Sequence, residues 1–224
     1  MSANAGIKYY TPIEEFVNIS SHAIGLLLSV IATGFLIAHA GQNGSVWHIV
    51  SFAIFGSSLI ILYAASTSYH SAKDPMLRRK LRVIDHAAIY VLIAGSYTPF
   101  TLVTLNGSTG WMIFAASWAM AITGVVLKIF FTGRYNLIST AMYVFMGWMI
   151  MFAIKPLAAN LPAGGIYWLA AGGVAYTLGA VIYSIKRVKF NHAIFHVFVL
   201  IGSASHFVAV YFYVLPGAFN WVGT

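Results

Sequence analysis

The chain has no cysteine. Disulfides and thiolate metal sites are therefore excluded, and any bound metal must be held by histidine, carboxylate or water. Charge is nearly as scarce. Charged residues make up 7% of the sequence and hydrophobic ones 60%, against about 25% and 45–50% in an ordinary soluble domain. A soluble fold this poor in charge could not cover its surface; a bilayer removes that difficulty. The net charge of +8 could also suggest nucleic acid, but the positive residues sit in short loops between apolar runs. Orientation in a membrane explains them better, and no nucleic-acid partner is expected.

What is present is a series of long apolar runs. A helix needs about 20 such residues to span the hydrocarbon core, and seven segments qualify: 17–40, 46–69, 84–105, 111–131, 137–157, 165–185 and 191–215. Turn signals separate them, among them Gly41-Gln42-Asn43-Gly44, Asn106-Gly107-Ser108, Thr132-Gly133-Arg134 and Pro162-Ala163-Gly164. The runs are too long, and alternate too little, for barrel strands. The expected fold is an all-α, seven-helix membrane bundle in one domain, 1–224. Ala38-His39-Ala40 resembles a signal cleavage site, but the preceding run is too long for a signal peptide and Glu14 and Glu15 stand where basic residues belong. A retained span is expected.

Placing the N-terminus inside puts Lys8, Lys73, Arg78, Arg79, Lys80, Arg82, Lys128, Arg134, Lys186, Arg187 and Lys189 on the cytoplasmic side and Lys155 alone outside. This asymmetry predicts a cytoplasmic N-terminus and an external C-terminus. Small residues within the spans, such as Gly25, Ser29, Gly172, Gly173 and Gly179, suit close helix packing.

Ionisable groups inside spans are costly and mark function by default. Here they gather at one depth. Glu15, Asn18 and His22 recur at i, i+3 and i+7 at the inner start of span one; Ser66 and His70 lie four apart at the inner end of span two. Asp85 and His86 open span three, and His192 and His196 lie four apart where span seven begins. These spacings put each set on one helix face. Two imidazoles one turn apart can share an ion, and His70 supplies a third nitrogen, leaving a fourth position for water. Asp85 could hold that water and accept its proton, and Ser66 could donate to a ligand or a developing oxyanion.

Plainer readings stand beside these. Asp85 could be an N-cap. His39 and His48 have the look of interfacial residues at the outer ends of spans one and two. His86 points about 100° from Asp85, toward a supporting role or a lipid phosphate. His206 lies off the His192/His196 face and can hydrogen-bond another helix. Tyr97 and Thr98, before Pro99, could line a cavity or pack a kink.

At these residues the sequence closely resembles the hemolysin III family, the bacterial branch of the progestin and adipoQ receptor family. The shared motifs are E-x-x-N-x-x-[ST]-H at Glu15, Asn18, Ser21 and His22; S-x-x-x-H and a later D-H at Ser66, His70, Asp85 and His86; and H-x-x-x-H with a later His-Phe at His192, His196, His206 and Phe207. The match covers about residues 12 to 215. It implies a seven-helix bundle with an intracellular N-terminus and Zn2+ held by His70, His192 and His196, with Asp85 acting through water and Ser66 beside the site. Glu15, Asn18, His22, His86 and His206 are then supporting residues. The wider superfamily includes ceramidase-like membrane hydrolases. The functional expectation is a zinc-dependent hydrolase of lipid amides or esters in the bacterial inner (plasma) membrane, acting in membrane-lipid homeostasis. The alternatives are a non-catalytic regulator or sensor with structural zinc and, third, a transporter or channel. A haem would need an axial pairing other than His192 with His196.

Overall fold

A computed structural model describes residues 9–132 and 134–215. Lys8 and Gly133, which entered the charge count and a turn signal above, lie outside the described residues. Among the described residues there is no strand, and seven helical spans are long and apolar enough to cross a membrane. The first four are α1 (Pro12–Asn43), α2 (Val46–Ser71), α3 (Pro75–Pro99), which continues as a π-helical segment Phe100–Leu105, and α4 (Gly107–Phe131). The fifth span is broken into α5 (Asn136–Trp148), a 3-10 segment Met149–Ala153 and α6 (Ile154–Asn160). α7 (Ala163–Ser184) and α8 (Asn191–Ala209), extended by π-helical Val210–Val214, complete the bundle.

Two helices begin well before their apolar runs, and for the same local reason. Thr11 caps α1 by accepting from Glu14 N, with Pro12 in the first turn; Asp74 caps α3 by accepting from Leu77 N, with Pro75 following. Each pairs a favoured cap with a proline whose missing N–H costs nothing there. Span three therefore starts at Pro75 rather than 84. Asp85 lies three turns inside it, and the N-cap reading of Asp85 is wrong.

α1 packs on α2 and α8, α2 on α3, α8 on α7, and α5 on both α7 and α3, while α4 lies outside against α3. α3 is the central helix: its apolar window is 72% buried, against 22–28% for α1, α4, α7 and the fifth span. The outer helices turn Phe16, Leu27, Ile122, Phe130 and Phe152 outward, as lipid-facing surfaces should. Close approach depends on glycine at particular places. A Cβ on Gly172 would sit 2.2 Å from the His206 ring, and one on Gly25 would sit 2.6 Å from Tyr63. The break in the fifth span is held from α3. The Tyr97 hydroxyl donates to the carbonyls of Met146 and Gly147 and accepts from Ile150 N, satisfying backbone groups that the break frees.

His39 turns into the bundle rather than outward. It is buried, and its Nε2 lies 2.9 Å from the Leu215 carbonyl, joining α1 to the end of the last span. His48 stays partly exposed and accepts from Ser45 N at the start of α2.

Candidate metal centre

At the end of the bundle that carries Arg78 and Lys186, α2 and α8 bring three histidines together. His70, His192 and His196 are all buried, and each offers a nitrogen within 4.8 Å of the others'. His70 Nε2 and His192 Nε2 face each other at 3.0 Å. Tetrahedral coordination with metal–nitrogen bonds of 2.0–2.1 Å would set the nitrogens about 3.3 Å apart. One pair of nitrogens is close to that spacing, and with all three within 4.8 Å of one another the group could hold a metal ion.

The ring orientations are fixed from several sides. His70 Nδ1 lies 2.7 Å from Glu15 Oε2. Donation of that N–H leaves the lone pair on Nε2, aimed at His192; a carboxylate behind a ligating imidazole is the usual way of setting its tautomer and raising its basicity. Asn18 Nδ2 donates to the same Glu15 oxygen at 3.4 Å. His22 stacks on His196 with ring centres 3.5 Å apart and 11° between planes, and Tyr10 stacks on His192 at 4.7 Å and 14°. Burial raises the Tyr10 hydroxyl pKa strongly, so Tyr10 is a neutral ring over the site. Neither nitrogen of buried His22 finds a hydrogen-bond partner among the described residues.

Arg78 completes this bracing, although its sequence suggested only a loop charge. It is buried, pairs with Glu15 Oε1, and donates to the carbonyls of Tyr69, His70 and Ala72 that end α2. Its guanidinium also lies over the rings of Tyr9 and Tyr69. One residue therefore closes the end of the helix bearing His70 and holds the carboxylate that orients His70. The Asp74-Pro75 start signal was the clue that Arg78 belongs to a helix. Tyr10 carried no signal of its own.

The cluster opens on a cavity of about 180 Å³ whose walls are mostly apolar and come mainly from α3, α5, α7 and α8. Ser66, Asp85, His86, His192 and His196 are among the polar residues that line it. Asp85 is buried, with one oxygen 3.2 Å from His86 Nδ1, which also lies 2.9 Å from the Arg82 carbonyl. The Ser66 hydroxyl is buried and has no hydrogen-bond partner among the described residues. His206 lies elsewhere along the cavity, ten residues or about 15 Å along α8 from His196, with Nε2 3.3 Å from the Leu169 carbonyl of α7. Tyr97 also lines the cavity. The structure therefore brings together Glu15, Asn18, His22, His70, His192 and His196, sets Ser66, Asp85 and His86 on the adjoining wall, and keeps His206 apart.

The profile of the family described as haemolysin-III related matches residues 10–207. The chain belongs to this family. Two relatives cover almost the whole of both chains. Hemolysin-3 of Bacillus cereus is 47% identical over 205 residues, spanning 92% of this chain and 94% of that protein. The hemolysin-3 homolog of Bacillus subtilis (strain 168) is 48% identical over 204 residues, spanning 91% and 96%. More distant similarity reaches the human monocyte to macrophage differentiation factor, 28% identical over 210 residues and 89% of this chain and 84% of that one. This haemolysin-III-related chain is an integral, multi-pass membrane protein with a three-histidine group able to hold a metal ion.

Proposed function

We propose that the protein is a zinc-dependent hydrolase of amide or ester bonds in membrane lipids, with its metal centre at the cytoplasmic face of a bacterial plasma membrane and a role in membrane-lipid homeostasis. The observation that carries this reading is the junction of a buried three-histidine donor set with an apolar cavity, at a wall holding Asp85 and an unpartnered Ser66 hydroxyl. The basic residues crowded at that end support the cytoplasmic placement.

When bound, zinc supplies Lewis acidity that polarises a carbonyl and acidifies water. The chain's own residues would do the rest. The apolar walls take up an acyl chain and keep bulk water out. Asp85 accepts the proton of the attacking water and returns it to the leaving amine or alcohol. Ser66 Oγ, free of competing bonds, donates to the carbonyl oxygen as it gains charge. Glu15 and Arg78 hold His70 in its ligating tautomer. The test is fatty-acid release by the purified, zinc-loaded protein from ceramides and glycerolipids, followed by mass spectrometry. Turnover in wild type and its loss in Asp85→Asn, with metal retained, is the expected result. No release from any lipid class, under conditions where a ceramidase control works, sinks the reading.

One observation favours a second reading. The histidines come from α2 and α8 and are braced by α1 and α3, an arrangement that would also suit a structural staple in a non-catalytic regulator. In that case Asp85→Ala leaves stability and physiological output intact, whereas His192→Ala removes both.

A further inference from the structure

Among the described residues, Lys128 is a buried cation without a counter-ion. It sits in the last turn of α4 and is only 3% exposed. A lysine serving only to complement the carbonyls at a helix end would extend to water or headgroups. This one turns inward: its Nζ donates to Ser139 Oγ at 2.7 Å and lies 5.8 Å from the centre of the Tyr143 ring.

The chain has four acidic residues, and three are committed elsewhere: Glu15 to His70 and Arg78, Asp74 to the start of α3, Asp85 to His86. None forms an ion pair with Lys128 among the described residues. Burying an unpaired charge is expensive, so an anion from outside the chain is the natural partner.

The surroundings define that anion. Lys128 and Ser139 line both the cavity that begins at His192 and a second one of about 180 Å³, whose other walls include Tyr90, Arg134 and Met142. The Tyr90 hydroxyl lies 3.9 Å from the Met142 thioether, a weak acceptor, and also hydrogen-bonds with Ser139. An ammonium, a hydroxyl and a phenol thus border one space, with the exposed Arg134 at its edge. Such a donor set suits a tetrahedral oxyanion, and the last turn of a spanning helix lies at headgroup depth.

We infer that Lys128, with Ser139 and Tyr90, binds the phosphate of a glycerophospholipid in the leaflet at the metal-bearing end of the bundle. That this lipid is also the substrate rests on the hydrolytic reading above; its binding does not.

The experiment uses the full-length protein in phosphatidylcholine nanodiscs, with bound lipid counted by native mass spectrometry. The probes are dioleoyl phosphatidic acid, dioleoylglycerol, which lacks the phosphate, and inorganic phosphate. Wild type should retain phosphatidic acid at least about tenfold better than dioleoylglycerol. Lys128→Met should lose that preference and Lys128→Arg should keep it. His192→Ala should also keep it, so absence of hydrolysis and absence of binding are read separately. Equal retention of phosphatidic acid by wild type and a folded Lys128→Met, or no preference in wild type, overturns the inference. So does displacement of phosphatidic acid by millimolar inorganic phosphate, which would make the ligand the free ion. If Lys128→Met does not fold, Ser139→Ala takes its place, and an unchanged preference there is equally fatal.

Discussion

Replacing Glu15 by glutamine tests the bracing of the metal centre with minimal change of shape. The carboxylate accepts from His70 Nδ1 through one oxygen and from Arg78 through the other. A glutamine has only one acceptor oxygen. If that oxygen faces His70, the amide N–H groups face the Arg78 donors. If it faces Arg78, the amide opposes His70 N–H and favours the other tautomer, which places a proton on the Nε2 that points at His192. Either arrangement removes a charge-assisted bond, and the second removes a ligand. Loss of such a supporting partner weakens metal binding by about 10–100-fold, or about 1.4–2.8 kcal/mol. The assay is competition for zinc against a chromogenic chelator in detergent, with the unfolding midpoint measured in parallel to separate affinity from stability. An affinity within about twofold of wild type, in a folded variant, would refute the claim that Glu15 sets the His70 tautomer.

Arg78→Met removes the partner of Glu15 and uncovers three carbonyls at the end of α2. It should cost about 3 kcal/mol in SDS-induced unfolding, the low end for a broken buried pair because Glu15 keeps some exposure. Tyr97→Phe strips the hydroxyl that serves two carbonyls and an amide at the break in span five; a loss of about 1–3 kcal/mol in the same assay is expected, and a neutral result would mean the break is held by other contacts. Gly172→Ala drives a methyl against the His206 ring, whereas Gly173→Ala meets only Trp148 at 3.6 Å. The first should cost about 1–3 kcal/mol, while the second should be nearly neutral.

Hydropathy made the seven spans legible because the bilayer demands long, uncharged runs. It misjudged where spans one and three begin, since a window counts Glu14, Arg78 and Arg82 as loop. The structure makes them helical because Thr11-Pro12 and Asp74-Pro75 are start signals strong enough to override local charge. Spacing placed the candidate site residues on shared helix faces, because i, i+3 and i+4 relations are local. Whether a side chain turns inward depends on its neighbours in space. Arg78, read as one of eleven cytoplasmic charges, became the brace of Glu15 only when α1, α2 and α3 packed together. Lys128 turned to Ser139, and His39 found the Leu215 carbonyl, for the same non-local reason. The break in the fifth span did carry a sequence signal, Pro156, whose ring and missing N–H disrupt the turn before it; the Tyr97 hydroxyl that serves the freed groups comes from another helix and was not locally legible.

On the proposed reading, His70, His192 and His196 hold one zinc ion. Elemental analysis of the purified protein, in wild type and in His192→Ala, tests it most directly. One zinc per chain is expected in wild type and close to none in the folded variant. Wild type that stays metal-free after reconstitution with zinc, or a His192→Ala protein that retains a full equivalent, would contradict it.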